Sequence, residues 1–107
     1  MKLGSKQRLF TSLVARLLVH LYLEGYEATF GDANRSKEEA TRLGFPNSNH
    51  TRRLAIDLNL FKDGKYLSST ESHRLLGEWW EAQHELCRWG GRFGDGNHYS
   101  LIHGKVI

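Results

Sequence analysis

Cysteine, proline and long apolar runs are all scarce in this chain, and each scarcity closes off a class of structure. Among 107 residues there is one cysteine and one proline. Cys87 alone cannot close an intramolecular disulfide, which fits folding in a reducing cytoplasm and leaves stability to a packed core. A chain of this length buries enough surface to stand without disulfide or metal staples, so a metal site here is expected to be catalytic rather than structural. No stretch reaches the roughly 20 apolar residues that a membrane helix requires. The best candidate, Leu9 to Leu23, is interrupted by Arg16 and His20. Lys2, Lys6 and Arg8 precede it as a signal peptide's basic region would, but no small-x-small cleavage site follows. The expectation is therefore neither an export signal nor a stable membrane insertion. Charge of one sign is not concentrated either: 15 basic residues stand against 12 acidic ones, spread along the chain, for a net charge of +3. That balance is compatible with an anionic partner, but without a clustered basic stripe nucleic acid is not expected. No repeat, linker or low-complexity tract divides residues 1–107, which are expected to form one domain and a monomer.

The residues present spell out a mixed fold. Leu9, Phe10, Leu13, Val14, Leu17, Leu18, Leu21 and Tyr22 recur at three- and four-residue spacing, which predicts a packed helix capped by Ser5 and ended by Gly25. Tyr26 to Ala33 alternates as a strand, and Ser36 with Glu39 forms a capping box for a short helix that Gly44 and Pro46 close. Arg53 to Leu60 alternates again, with Leu54, Ile56, Leu58 and Leu60 on the core face and Arg53, Ala55, Asp57 and Asn59 on the other. Asp63-Gly64 predicts a tight hairpin between this strand and Tyr66-Leu67. Ser69 or Thr70 then caps a further helix whose buried stripe is Leu75, Leu76, Trp79, Trp80, Leu86 and Cys87, with His73 and His84 at its surface. The tandem tryptophans are assigned to the core rather than to a sugar platform. The glycine-rich segment Trp89 to His98 is expected to be irregular and to lead into a last strand, Tyr99 to Ile102. This order makes an α+β domain with a small antiparallel sheet and helices packed on one side.

One residue does not suit that pattern. Asp57 lies in an otherwise apolar strand, and a carboxylate there is costly unless it is paired, hydrogen-bonded or bound to a metal. His50 lies seven residues before it, and Asp95 lies three residues before His98 at the start of the last strand. A catalytic zinc takes three nitrogen or oxygen ligands and keeps a fourth position for water. His50, Asp57 and His98 supply such a set, with Asp95 placed to act as general base. Taken singly, each has a plainer reading: a loop histidine, a turn aspartate. Arg35, at a strand-to-helix junction, reads alone as a surface charge, and Ser48 in Asn-Ser-Asn as a turn residue.

The joint pattern resembles a known signature. Ser-x-His, a six-residue gap and Asp, then an acid three residues before a final His, is similar to the zinc D-Ala-D-Ala carboxypeptidase/VanY-type peptidases. The match is closest to the small phage endolysins that cleave between L-alanine and D-glutamate in peptidoglycan. Their Arg-Leu-Ala-Ile-Asp-Leu-Asn-Leu-Phe run stands here at Arg53 to Phe61, and their Gly-Asp-x-x-His-aromatic segment at Gly94 to Tyr99. The resemblance spans Tyr26 to Leu101 and implies a Hedgehog/DD-peptidase-like fold. It implies zinc held by His50, Asp57 and His98, with Asp95 as general base and acid. Arg35 matches the arginine that binds substrate and stabilises the oxyanion, and Ser48 the serine that contacts substrate. The implied partner is the peptidoglycan stem peptide, reached from the host cytoplasm through a holin-type pore. The alternatives are a D-Ala-D-Ala carboxypeptidase on the same fold, a non-catalytic module in which metal only stabilises the chain, and a metal-dependent nuclease. Members of the family commonly have glutamate at the position of Asp95, a bulky residue at Asn97 and glycine at Arg53.

Overall fold

The computed structural model describes residues 1–31 and 52–104. Helix α1 covers Leu3–Leu23, and strands follow at Glu27–Phe30 (β1), Ala55–Lys62 (β2) and Lys65–Leu67 (β3). A 3₁₀ turn at Glu71–His73 runs into helix α2, Arg74–Gln83; strand β4 is Cys87–Trp89, a second 3₁₀ turn covers Gly90–Phe93, and β5 is His98–Leu101. The strands form one antiparallel sheet in the order β1-β2-β5-β4, with β3 paired to the far end of β2. The α+β class with a small antiparallel sheet thus holds. The expected helix from Ser36 to Gly44 lies outside the described residues.

The core occupies one face of that sheet. Leu54, Ile56, Leu58 and Leu60 of the β2 segment, with Tyr99 and Leu101 of β5, pack against Phe10, Leu13, Val14, Leu17 and Leu21 of α1 and Leu76 and Trp80 of α2. Both described helices therefore cover the same side, and Asp57 and His98 fall on the other by strand alternation. Trp80 is fully buried, and its indole N–H is shared between the carbonyls of Arg88 and Ser100, which locks α2 to β4 and β5. Gly25 closes α1 with a φ of 88°: its N–H donates to Tyr22 O and that of Tyr26 to Leu21 O, a Schellman arrangement that only an unencumbered residue enters cheaply.

Several local expectations shift. α1 begins at Leu3, two residues before Ser5, whose hydroxyl accepts from Arg8 instead of capping the helix. Tyr22 leaves the buried stripe and is 52% exposed. Leu86 and Cys87 are not helical: His84 turns extended, with φ −160° and ψ 150°, and Cys87 starts β4 against Leu101 of β5. Cys87 remains a core residue, its thiol pushed up to about 12 by burial. Leu75 is exposed, whereas His73 is buried and shares a 2.8 Å hydrogen bond between its Nδ1 and the Tyr99 hydroxyl. The 3₁₀ turn has three residues per turn rather than 3.6, so it rotates the phase of the stripe that enters α2. Arg53 is not in the strand; it sits in the preceding turn at a φ of 58°, a left-handed conformation that a non-glycine residue enters at some cost. The hairpin is as expected, with Asp63 and Gly64 at φ 52° and 76°, the signature of a type I′ turn.

Some of the outward backbone groups of β1 and β4 are met by side chains. Gly31 N–H donates to Asp57 O, so the hydrogen-bonding phase of β1 and β2 turns Ala28 away from β2. There the Tyr22 hydroxyl meets Ala28 N at 3.3 Å and Ala28 O at 3.5 Å. On β4 the Trp89 N–H donates to Glu81 Oε2 at 3.1 Å, and Cys87 O accepts from Arg88 Nη1 at 2.8 Å.

Burial holds His73 neutral, with its pKa pushed down from 6.5 to about 4. Between those values the unfolded chain binds a proton that the folded one refuses, so stability is intact above pH 6.5 and falls as pH drops toward 4. The full effect is on the order of 3 kcal/mol. His73→Phe should flatten this part of the pH profile of the urea midpoint, and a variant profile as steep as that of the native chain would refute the assignment.

Candidate metal centre

The pairing of β2 with β5 creates the site. Leu101 N–H donates to Leu54 O and Leu58 N–H to Asn97 O, so the hydrogen-bonded pairs fall on either side of Asp57↔His98. Asp57 and His98 are consequently a non-hydrogen-bonded cross-strand pair, the kind in which side chains approach most closely. His98 Nδ1 lies 3.4 Å from Asp57 Oδ1, with the histidine side chain 7% exposed and the aspartate 18%. The neighbouring pair on the same face is Ala55 and Ser100, both small and fully buried.

Asp95 comes from the loop ahead of β5. Its Oδ2 lies 3.9 Å from His98 Nδ1, and its side chain is 52% exposed, so it stands at the rim of the pair. The loop is fastened on every side. Asp95 N–H donates to Gly90 O at 2.9 Å, His98 N–H to Asp95 O at 3.2 Å, and Thr70 Oγ1 to Gly94 O at 3.3 Å. Trp89, buried behind it, donates its indole N–H to Gly96 O at 2.7 Å. A β-carbon on Gly77 would lie 2.0 Å from the Trp89 ring and one on Gly91 2.2 Å, so the indole fits only between these two bare backbones. Gly90 is equally constrained: a β-carbon there would meet Asp95 O at 2.2 Å and His98 Cβ at 2.7 Å. On the other flank Gly31 approaches Asp57 so closely that its β-carbon would be 3.1 Å from Asp57 Cβ.

One imidazole nitrogen and two carboxylate oxygens, from Asp57, Asp95 and His98, all lie within 4.8 Å of one another and can hold a metal ion. The spacing suits a small cation. Two ligands at about 2.0–2.1 Å from a tetrahedral ion are about 3.3 Å apart, close to the 3.4 Å between Asp57 and His98, a separation long for a direct N–H···O bond. Asp95, at 3.9 Å, lies beyond that edge. The donor set of nitrogen and oxygen without sulfur fits zinc and other borderline divalent ions.

Of the residues expected from the sequence, Asp57, Asp95 and His98 are thus brought together. His50, Arg35 and Ser48 lie outside the described residues. Trp89, Gly77, Gly90, Gly91 and Thr70 belong to the site's support although sequence reasoning assigned none of them to it. The available signal was the Trp-Gly-Gly run itself, where the two glycines follow a large ring that has to be seated.

Asp57→Ala and His98→Ala should each weaken zinc binding more than about hundredfold, measured by competition with a chromophoric chelator; unchanged affinity in either variant removes the site. Gly77→Ala tests the support. In an exposed helix the change stabilises by up to about 1 kcal/mol, but against the Trp89 ring it should lower stability by about 1–3 kcal/mol, and a raised urea midpoint would show that the indole yields. No protein-family model and no curated protein matches this sequence.

Proposed function

We propose that the chain is a zinc-dependent peptidoglycan peptidase of the phage endolysin type, hydrolysing a stem-peptide bond, with L-Ala-D-Glu the bond that the sequence resemblance implies. The observation that carries this reading is the division of labour within the cluster. Asp57 and His98 are mostly buried and set at the edge length of a tetrahedral site, whereas Asp95 stands half exposed just outside it. A site that only stabilised the fold would not require an acid at its rim.

In this reading Asp57 and His98 hold the ion together with His50, the third ligand that the resemblance assigns. Zinc, when bound there, supplies Lewis-acid polarisation of the scissile carbonyl and acidifies water. Asp95 accepts the proton of the attacking water as the new C–O bond forms, then delivers it to the amine as the C–N bond breaks. Its place on a loop tied by Trp89, Thr70 and Gly90 keeps the carboxylate at a fixed height above His98. Arg35 would orient the substrate and stabilise the oxyanion, and Ser48 would contact the peptide, both by resemblance.

Zinc-loaded protein should release soluble amino groups from purified cell walls, and mass spectrometry of the fragments should identify the new termini. Asp95→Ala should lower kcat/KM by at least about a hundredfold with zinc affinity within tenfold of the native chain's. Absence of amino-group release, or full activity in Asp95→Ala, would sink the proposal.

A further inference from the structure

Glu81 of α2 has no part in the metal cluster, yet it holds the segment that carries Asp95 at two points. Its Oε2 accepts the backbone N–H of Trp89 at 3.1 Å, and its Oε1 accepts Nε of Arg92 at 2.9 Å together with Nη2 of the same guanidinium. Trp89 precedes the 3₁₀ turn Gly90–Phe93 and Arg92 lies within it, so one carboxylate spans the turn. The path from there to Asp95 is short. Gly90 O, one residue beyond Trp89, accepts the Asp95 N–H at 2.9 Å. Gly77, against which the Trp89 ring is seated, stands four residues before Glu81 and hence on the same face of α2. That one helical face fixes both the ring and the backbone of the loop.

The Glu81 side chain is 18% exposed and that of Arg92 59%. An ion pair with so exposed a member adds little to global stability, whereas its charge-assisted bonds are directional and fix the local geometry of the two groups. Burial pushes the Glu81 carboxyl up, but the hydrogen bonds from Arg92 and Trp89 outweigh it and hold the group below the usual carboxylate range. Glu81 is therefore ionised at neutral pH. Asp95 needs such restraint. Its side chain is 52% exposed in a glycine-rich loop, and a misplacement of about 1 Å in a reacting group costs about a hundredfold in rate. We propose that Glu81 is a positioning residue for Asp95, holding through Trp89 and Arg92 the loop that sets this carboxylate beside His98. The inference rests on the peptidase reading, in which Asp95 moves the proton.

Two substitutions test it: Glu81→Gln within the clamp, and Arg92→Ala at its exposed end, which removes the ion pair without touching the core. Each should lower kcat for amino-group release from cell walls about tenfold, with KM and zinc affinity unchanged. In the Asp95→Ala background neither should lower kcat further, because a residue that acts through Asp95 then has nothing to act on. A further loss there, multiplying that of Asp95→Ala, overturns the proposal. Hydrogen exchange supplies a readout that needs no turnover. The Asp95 amide should exchange about tenfold faster in both variants, while the Gly31 and Leu101 amides, which donate within the sheet, keep the native rate. An Asp95 amide as protected as in the native chain overturns the proposal, and so does equal loosening of Gly31 and Leu101, which would make the effect one of the whole fold. If the native chain releases no amino groups, the peptidase reading fails, and the exchange rates still decide whether Glu81 holds the loop.

Discussion

The indole of Trp89 is the constraint from which the arrangement at the metal cluster follows. Seated between the bare backbones of Gly77 and Gly91, it sends its one polar atom to the carbonyl of Gly96, next to Asp95. A glycine-rich loop would otherwise be the most mobile part of a small domain, because glycine loses more conformational freedom on ordering than any other residue. Here a buried hydrogen bond and a large buried ring oppose that cost. The same ring belongs to the main core, so the height of Asp95 above β5 is coupled to the packing of α2 against the sheet.

Setting Asp57 and His98 together on the far face is the complementary half. Their proximity needs no special loop, since it comes from the register of two antiparallel strands. A partly buried carboxylate and imidazole both resist desolvation, and a cation, if held between them, would answer both at once. Two of the three side chains of the cluster are therefore set by the sheet and the third by a loop tied to the core through Trp89.

What was legible in the sequence was what depends on local period or local chemistry. The alternation of Leu54, Ile56, Leu58 and Leu60 put Asp57 off the core face, Asp63-Gly64 announced its hairpin, and Gly25 the end of α1. The features that escaped are set by partners distant in sequence. Leu86 and Cys87 continue the helical spacing of α2, and only the vacant side of β5 turns them into a strand. His73 and Leu75 exchange places because a 3₁₀ turn precedes the α-helix and alters its phase. Gly77 looks like a weak point in a helix until the ring of Trp89, twelve positions on, is placed against it. Of the candidate site, Asp57, Asp95 and His98 converge as the motif spacing suggested.

The side chains that meet the outward backbone groups of β1 and β4 have a consequence for association. An unpaired strand edge is a template on which another extended chain can add itself, and small sheets with open edges tend to polymerise. At Ala28 the Tyr22 hydroxyl stands in for that chain, and at Cys87 and Trp89 the guanidinium of Arg88 and the carboxylate of Glu81 do the same. A foreign strand at either place would have to displace a hydrogen bond already made, and at β4 one reinforced by charge. At these positions, therefore, templated growth has to compete with hydrogen bonds that the fold already makes.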